Sequence, residues 1–141
     1  MRKPTHPALL HLIIVATGVS YFLWLFRTLP WTPTRVAGFL ILFPSLALWF
    51  LARIQLGSSF SFQARATELV THGLYSRIRN PVYLFGGLDI LGMILYAQAF
   101  RFLWVFAVIV PMQLLRIRKE EKVLEEKFGP TYLDYKRRTW F

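Results

Sequence analysis

Long apolar stretches without charge constrain the fold of this chain more than any other feature. Residues 7–26 carry no formal charge, and at about 1.5 Å per residue they can cross the roughly 30 Å hydrocarbon core of a bilayer. Hydrophobic residues make up 55% of the 141 positions, which is more than a soluble domain of this size can cover with polar surface. We predict one all-α membrane domain, residues 1–141, with about four transmembrane helices at 7–26, 36–54, 81–98 and 101–117.

Lysine and arginine counts orient these predicted helices. Of the 17 basic residues, 14 lie in the N-terminus, in the loop 57–80 counted with Arg53, and in the tail 118–141 counted with Arg116. Arg27, Arg35 and Arg101 lie on the other side. Basic residues favour the cytoplasmic side. We therefore expect a protein of the cytoplasmic (inner) membrane with both termini, the long loop and the tail in the cytoplasm.

Local sequence patterns predict the secondary structure of the loop and the tail. The alternation at residues 60–63 indicates an extended or interfacial segment, Gly73 indicates a turn, and Pro81 suits the first position of a helix. The fourth helix is expected to continue through Arg116 into an amphipathic cytoplasmic helix, which Gly129 and Pro130 end.

Charge and residue types limit the partners. A net charge of +10 would suggest nucleic acid in a soluble protein. Here the charges cluster at the ends of apolar blocks, so we expect anionic membrane lipids and no nucleic acid as partners. The chain has no cysteine, and its histidines lack metal-ligand spacing, so no metal site is predicted.

Two polar stretches flank the third and fourth predicted helices. Residues 73–86 lead a basic, aromatic segment into a helix start, where free N–H groups suit anionic ligands. In residues 116–129, Arg116 and Glu120 are four apart and share a helix face, so they suit the carboxylate and the ammonium or hydroxyl groups of a ligand. Each stretch alone is also explained by an interfacial anchor or a solvated helix.

Together the two stretches resemble the isoprenylcysteine carboxyl methyltransferases and their phospholipid methyltransferase relatives. That family has a Gly-x-Tyr-x-x-x-Arg-His-Pro-x-Tyr pattern and, one helix later, an Arg-x-x-x-Glu-Glu-x-x-Leu-x-x-x-Phe-Gly-x-x-Tyr-x-x-Tyr-x-x-Arg pattern. Asn80 stands at the position of the family histidine. The other matching positions are Gly73, Tyr75, Arg79, Pro81, Tyr83, Arg116, Glu120, Glu121, Leu124, Phe128, Gly129, Tyr132, Tyr135 and Arg138.

The resemblance implies a methyltransferase that uses S-adenosyl-L-methionine in a cytoplasmic-facing pocket. It implies catalytic roles for Asn80 and Arg79. It implies cofactor binding by Tyr75, Asn80, Pro81, Tyr83, Leu84, Gly86, Arg116, Glu120 and Glu121. The substrate cavity is expected to include Asp89, Tyr132, Tyr135 and Arg138.

The methyl acceptor is expected to be lipid-like or isoprenoid-linked, such as a prenylated substrate. A carboxylate acceptor is favoured, because it is ionised at neutral pH, whereas an amine must first lose a proton. Four helices form a thin wall around a cofactor, so a homodimer is also expected.

Asp89 supports a rival hypothesis. An acid about two turns into a membrane helix is costly unless it is paired, protonated or facing water. Three alternatives therefore stay open for Asp89: it lines the substrate cavity, it bonds a serine, Gln98 or a backbone group, or it forms the centre of a small four-helix transporter. A structural membrane protein without activity is the third hypothesis for the chain as a whole, after the enzyme and the transporter.

Overall fold

The computed structural model describes residues 6–57 and 69–141, and within these ranges the chain is helical and contains no β-strand. Helix α1 spans His6–Thr28, α2 Pro33–Leu56, α3 Pro81–Tyr96, α4 Phe106–Phe128 and α5 Pro130–Arg138. Two short 3-10 helices, Gly73–Ser76 and Phe100–Val105, lie in the connections before α3 and α4. The segment at 60–63, for which we predicted extended or interfacial structure, lies outside the described residues.

The chain divides into two compact units, Met1–Thr32 and Pro33–Phe141. The described part of the first unit is α1 and the residues that follow it. Large apolar side chains of α1 are exposed, among them Leu12, Ile14 and Trp24 at 65%, 60% and 56%. Near its end, Phe26 packs edge-on against Trp31 with ring centroids 5.4 Å apart.

Among the described residues, two helices are long and apolar enough to cross a bilayer: Pro33–Leu56 and the continuous helical segment Phe100–Phe128. Leu12–Thr28 and Pro81–Tyr96 are shorter apolar helices. Within the second segment, Val108, Val110, Met112 and Leu115 are exposed. Apolar side chains in such numbers on the outside of a helix are typical of contact with lipid.

Helices α2 and α3 form a tight antiparallel pair in the second unit. A Cβ added to Gly92 would lie 2.7 Å from the backbone nitrogen of Leu42, and one added to Gly38 would clash with the backbone of Leu95 and Tyr96. Small residues therefore let the two backbones approach, as in many membrane helix pairs. At the end away from the loop, Arg35 is fully buried and its Nη2 donates to the Tyr96 hydroxyl at 3.1 Å.

The observed helices differ from the predicted spans at their ends, and α2, predicted at 36–54, covers Pro33–Leu56. Helix α3 ends at Tyr96 rather than residue 98, because Gln98 adopts a left-handed conformation (φ 54°). The bonds from Gln98 N to Leu95 O and from Ala99 N to Ile94 O then close a Schellman turn. The fourth segment begins as the 3-10 helix Phe100–Val105, and its α-helix begins only at Phe106.

Other expectations about this region are confirmed. Pro81 is the first residue of α3, and α4 continues through Arg116 to Phe128. Gly129 ends α4 with φ 51°, which favours glycine, and Pro130 begins α5. Helix α5 was not predicted as a separate element.

Candidate functional site

The loop before α3 is anchored on the end of α2. Gly73 has φ 60°, and a side chain there would collide with Gln55. The backbone N–H of Leu74 donates to Gln55 Oε1 at 2.8 Å, and the Tyr75 hydroxyl donates to the carbonyl of Ala52 at 3.4 Å. These contacts fix where the chain enters α3.

The junction formed by Arg79, Asn80 and Pro81 begins helix α3. The carbonyl of Asn80 accepts the backbone N–H groups of Tyr83 and Leu84, both at 3.1 Å. Its side chain does not cap the helix. Instead Nδ2 of Asn80 is buried and has no hydrogen-bond partner within residues 6–57 and 69–141. A buried amide donor without a partner is rare in proteins and marks a place where a ligand can bind.

Glu120 is held from two sides. The Tyr83 hydroxyl donates to Glu120 Oε1 at 2.6 Å, and Arg116 Nε donates to the same oxygen at 3.0 Å. The Arg116 guanidinium also lies 5.7 Å from the centroid of the Tyr83 ring. The Glu120 carboxylate is therefore fixed in position between α3 and α4.

Glu121 forms a second cluster with different partners. Its Oε1 accepts from Arg79 Nε at 2.7 Å, and its Oε2 accepts from Lys136 Nζ at 2.8 Å. The side chains of Arg79 and Glu121 are only 17% and 16% exposed. Both oxygens of Glu121 are thus engaged, and this carboxylate joins the start of α3 to α4 and α5.

The tail closes over the same junction. The Tyr135 hydroxyl donates to the carbonyl of Tyr75 at 2.8 Å. Beyond α5, the backbone N–H groups of Arg79 and Asn80 donate to the carbonyls of Trp140 and Phe141 at 3.1 and 2.9 Å. The tail therefore adds a layer over the segment that leads into α3.

Three tyrosines in this region are buried. Burial raises the pKa of Tyr135 to about 12 and also raises the pKa values of Tyr75 and Tyr132, because an ionised phenol would lose its hydration. The Tyr132 ring is fully buried. Its hydroxyl has no hydrogen-bond partner in the part of the chain that the structure describes.

The structure brings together seven of the residues expected in the site: Arg79, Asn80, Pro81, Tyr83, Arg116, Glu120 and Glu121. Tyr75 and Tyr135 anchor the loop and tail instead, and Leu84 joins the junction through its backbone. Arg138 is exposed.

Gly86 and Asp89 lie on the side of α3 that faces α2. A Cβ on Gly86 would be 3.5 Å from Trp49. The Asp89 carboxyl interacts with the Ser45 hydroxyl, and its Oδ1 has no hydrogen-bond partner among the described residues. Asp89 follows Tyr83 by six residues, a rotation of about 240° around the helix.

Sequence reasoning missed Lys136 and the backbone pairing of Trp140 and Phe141. Lys136 lies 15 residues after Glu121 and on another helix, so helical spacing could not connect them. The described residues contain no group of three or more histidine, cysteine, aspartate or glutamate side chains that could hold a metal ion.

The described part of the chain contains apolar helices of membrane-spanning length. A polar cluster, which includes the pairs Arg79–Glu121 and Tyr83–Glu120, joins the start of α3 to α4. Together these features are typical of a helical membrane protein with a polar site. The family model described as phospholipid methyltransferase matches residues 33–131. The chain belongs to this family of membrane methyltransferases, which confirms the resemblance drawn from its two motifs. No curated protein and no solved structure is significantly similar to the chain.

Proposed function

We propose that this protein transfers a methyl group from S-adenosyl-L-methionine to a lipid-like acceptor, preferably a carboxylate, at the cytoplasmic membrane face. The observation that carries the proposal is the arrangement of Glu120, which Tyr83 and Arg116 hold beside the start of α3. Family membership supports the reaction class, since methyl transfer to a lipid is what the family description states.

The residues at the junction fit the cofactor. Both hydrogen bonds to Glu120 end on Oε1, which leaves Oε2 for an ammonium or a ribose hydroxyl. Arg116 is suited to a carboxylate. The buried Nδ2 of Asn80 offers a donor without a protein partner in the described ranges. Acceptor and donor groups of the kinds that an amino-acid ligand needs therefore lie around one helix start.

When bound, S-adenosyl-L-methionine would supply an electrophilic methyl group on a sulfonium sulfur; the acceptor oxygen would form the new O–C bond as the C–S bond breaks, and the bonding pair would leave with the sulfur as a thioether. Such a displacement depends mainly on alignment and exclusion of water. The fixed Glu120 supports alignment because it orients the cofactor, and the covering tail supports exclusion of water because it shields the site.

The charge balance supports an anionic acceptor. Three cations, Arg79, Arg116 and Lys136, surround two carboxylates, Glu120 and Glu121, so the cluster carries one positive charge in excess. A carboxylate also needs no base, whereas Asn80 offers no group that titrates near neutral pH. A phospholipid amine, which suits the family description, is the second candidate acceptor and would require a base from elsewhere.

The membrane arrangement is also part of the proposal. Four spans with both termini in the cytoplasm put the loop, the Glu120 cluster and the tail on one face. The lipid-like part of the acceptor then enters from the bilayer beside α4, whose apolar surface is exposed. A homodimer is compatible with this arrangement.

The test is binding of S-adenosylmethionine and S-adenosylhomocysteine to detergent-purified protein, measured by calorimetry. We expect saturable binding by the wild type, loss of binding in Glu120→Ala, and retained binding in Asp89→Asn, since Asp89 lies against Ser45 of α2 and about a third of a turn from Tyr83 around α3. Absence of binding at millimolar ligand by folded protein would overturn the proposal. Loss of binding in Asp89→Asn alone would move the site to the α2–α3 interface.

A further inference from the structure

A basic and aromatic surface lies where the tail meets the loop before α3. We call it the basic-aromatic surface, and it consists of five exposed residues: Arg77, Arg137, Arg138, Trp140 and Phe141. The Trp140 and Phe141 side chains are 58% and 39% exposed. Exposed tryptophan beside arginine is typical of the boundary between a membrane and water, where the ring meets apolar chains and the cation meets headgroups.

Backbone hydrogen bonds fix the position of this surface along the chain direction of α3. The N–H of Trp140 donates to the carbonyl of Arg77 at 3.0 Å, and the N–H of Arg79 donates to the carbonyl of Trp140 at 3.1 Å. Both partners lie just before Pro81, the first residue of the apolar helix α3. In the proposed membrane arrangement, Trp140 therefore lies beside the point at which α3 enters the bilayer.

Helix α5 returns the tail to this depth. The middle of α4 is level with the start of α3, because Glu121 bonds both Arg79 and Lys136 of α5. Helix α4 then continues to Phe128, about 10 Å farther. The basic residues in the last turn of α5 therefore lie closer to the membrane surface than the cations near the end of α4.

The arginines of the surface are available to an external anion. Arg77 and Arg138 form no ion pair with the described residues. Arg137 lies 3.8 Å from Asp134, but its side chain is 81% exposed, so that pair is weak. Guanidinium groups bind phosphate groups with two parallel hydrogen bonds, and three of them stand around one exposed tryptophan.

We infer that the basic-aromatic surface binds the headgroups of anionic phospholipids, and that this binding holds the tail on the start of α3. A ligand that prefers the docked tail, in which Trp140 is bonded to Arg77 and Arg79, stabilises that state. Each arginine near an anionic membrane changes the equilibrium constant by about fivefold. The inference uses the proposed membrane arrangement and no step of the proposed reaction, so its test needs neither cofactor nor acceptor.

Hydrogen exchange of the backbone N–H groups of Arg79, Asn80 and Trp140 measures this docking, because these groups bond between loop and tail. The protein is placed in nanodiscs of phosphatidylcholine alone or with about a third phosphatidylglycerol, and exchange is followed by mass spectrometry. We expect phosphatidylglycerol to slow exchange by about 10- to 100-fold, since three arginines contribute. High salt should remove the slowing, because it screens the charges.

Two single variants and a matched control assign the effect to this surface. Arg77→Gln and Arg138→Gln should each lose about fivefold of the slowing and exchange like the wild type in phosphatidylcholine. Lys127→Gln removes the same charge from α4, six residues or about 9 Å beyond Glu121. That distance is close to the Debye length at physiological ionic strength, so the control should keep the full slowing.

A second measurement tests the contact of Trp140 with lipid. Phosphatidylcholine brominated near the headgroup end of its chains quenches tryptophan fluorescence on contact. The chain has five tryptophans, so the difference between the wild type and Trp140→Phe gives the signal of Trp140. We expect that signal to be quenched, and an unquenched signal would overturn insertion of the ring.

The remaining outcomes each decide the inference. Equal exchange of the wild type in both lipid compositions overturns it, and so does full slowing in both arginine variants. An equal loss of slowing in Lys127→Gln would show general charge attraction rather than a defined surface. Equal slowing by free sn-glycerol 3-phosphate in phosphatidylcholine nanodiscs would assign the arginines to a soluble phosphate and overturn the membrane contact. Absence of S-adenosylhomocysteine binding would overturn the proposed function and leave these results unchanged.

Discussion

The hydroxyl of Tyr83 donates a 2.6 Å hydrogen bond to Oε1 of Glu120 and so joins the first turn of α3 to the middle of α4. The two residues are 37 positions apart. A hydrogen bond to an ionised acceptor is short and roughly twice as strong as a neutral one. This contact gives the carboxylate one orientation before any ligand arrives, which reduces the entropy lost on binding.

Tyr83→Phe should weaken binding of S-adenosylhomocysteine by about tenfold, because Glu120 then loses one of the two hydrogen bonds that hold it among the described residues. Calorimetry on the purified protein measures this directly. The control is Tyr21→Phe, which alters an exposed tyrosine of α1 and should leave the Kd unchanged. Equal affinity in wild type and Tyr83→Phe would mean that orientation of Glu120 by Tyr83 contributes nothing.

Glu121→Gln should destabilise the protein by about 1–3 kcal/mol, because it leaves the partly buried Arg79 without its countercharge and releases Lys136. Thermal unfolding in detergent should show a Tm lower by about 3–10 °C. Limited proteolysis should also cut the tail faster, since Lys136 lies on α5.

Glu126→Gln is the matched control for that change. Its ion pair with Lys122 has side chains 66% and 79% exposed and a 3.8 Å separation. Exposed pairs of this kind contribute at most about 1 kcal/mol, so its Tm should stay within about 2 °C of the wild type. Equal Tm values for both variants would contradict the role of Glu121 in holding the tail.

Gly92→Ala should destabilise the α2–α3 pair, since the added methyl group would lie 2.7 Å from the backbone nitrogen of Leu42. Backbone atoms cannot rotate away, so the helices must separate. Gly87→Ala is the control, because no atom lies within 4 Å of the corresponding position. We expect a lower Tm and a lower yield for Gly92→Ala only. A lower Tm for Gly87→Ala than for Gly92→Ala would contradict the close packing of α2 against α3.

The sequence predicted the local parts of this site and could not predict the contacts between helices. Arg116 and Glu120 are one helical turn apart, and this spacing predicted that they share a helix face; in the structure they form a 3.0 Å ion pair. The turn at Gly73 and the helix start at Pro81 also followed from residue type. Each of these depends only on neighbours along the chain.

The contacts that complete the site depend on how separate elements meet. Nothing in the spacing connects Tyr83 with Glu120 or Glu121 with Lys136, because each pair lies on two helices. For a related reason, the sequence could not predict which helix Gly86 and Asp89 would face. Membership of a motif does not say which side of a helix faces which neighbour, and both residues lie towards α2.

Alkaline pH should loosen the tail through Tyr135. Burial raises the pKa of Tyr135 to about 12, whereas the pKa of a solvent-exposed tyrosine is about 10. The folded state therefore retains a proton that the unfolded chain loses. The contribution of Tyr135 to the free energy of unfolding is complete below pH 10 and is lost as the pH rises from 10 to about 12. A shift of this size corresponds to about 2–3 kcal/mol.

The measurement is Tm against pH from 8 to 12 in detergent, followed together with phenolate absorbance. Tyr135→Phe should have a lower Tm at pH 8, because the hydrogen bond to Tyr75 is lost, and a shallower decline above pH 10, because one buried phenol no longer ionises on unfolding. Tyr75 and Tyr132, whose pKa values burial also raises, should account for the slope that remains. Parallel curves for wild type and Tyr135→Phe would show that Tyr135 is not coupled to folding, which would contradict its burial between the tail and the loop.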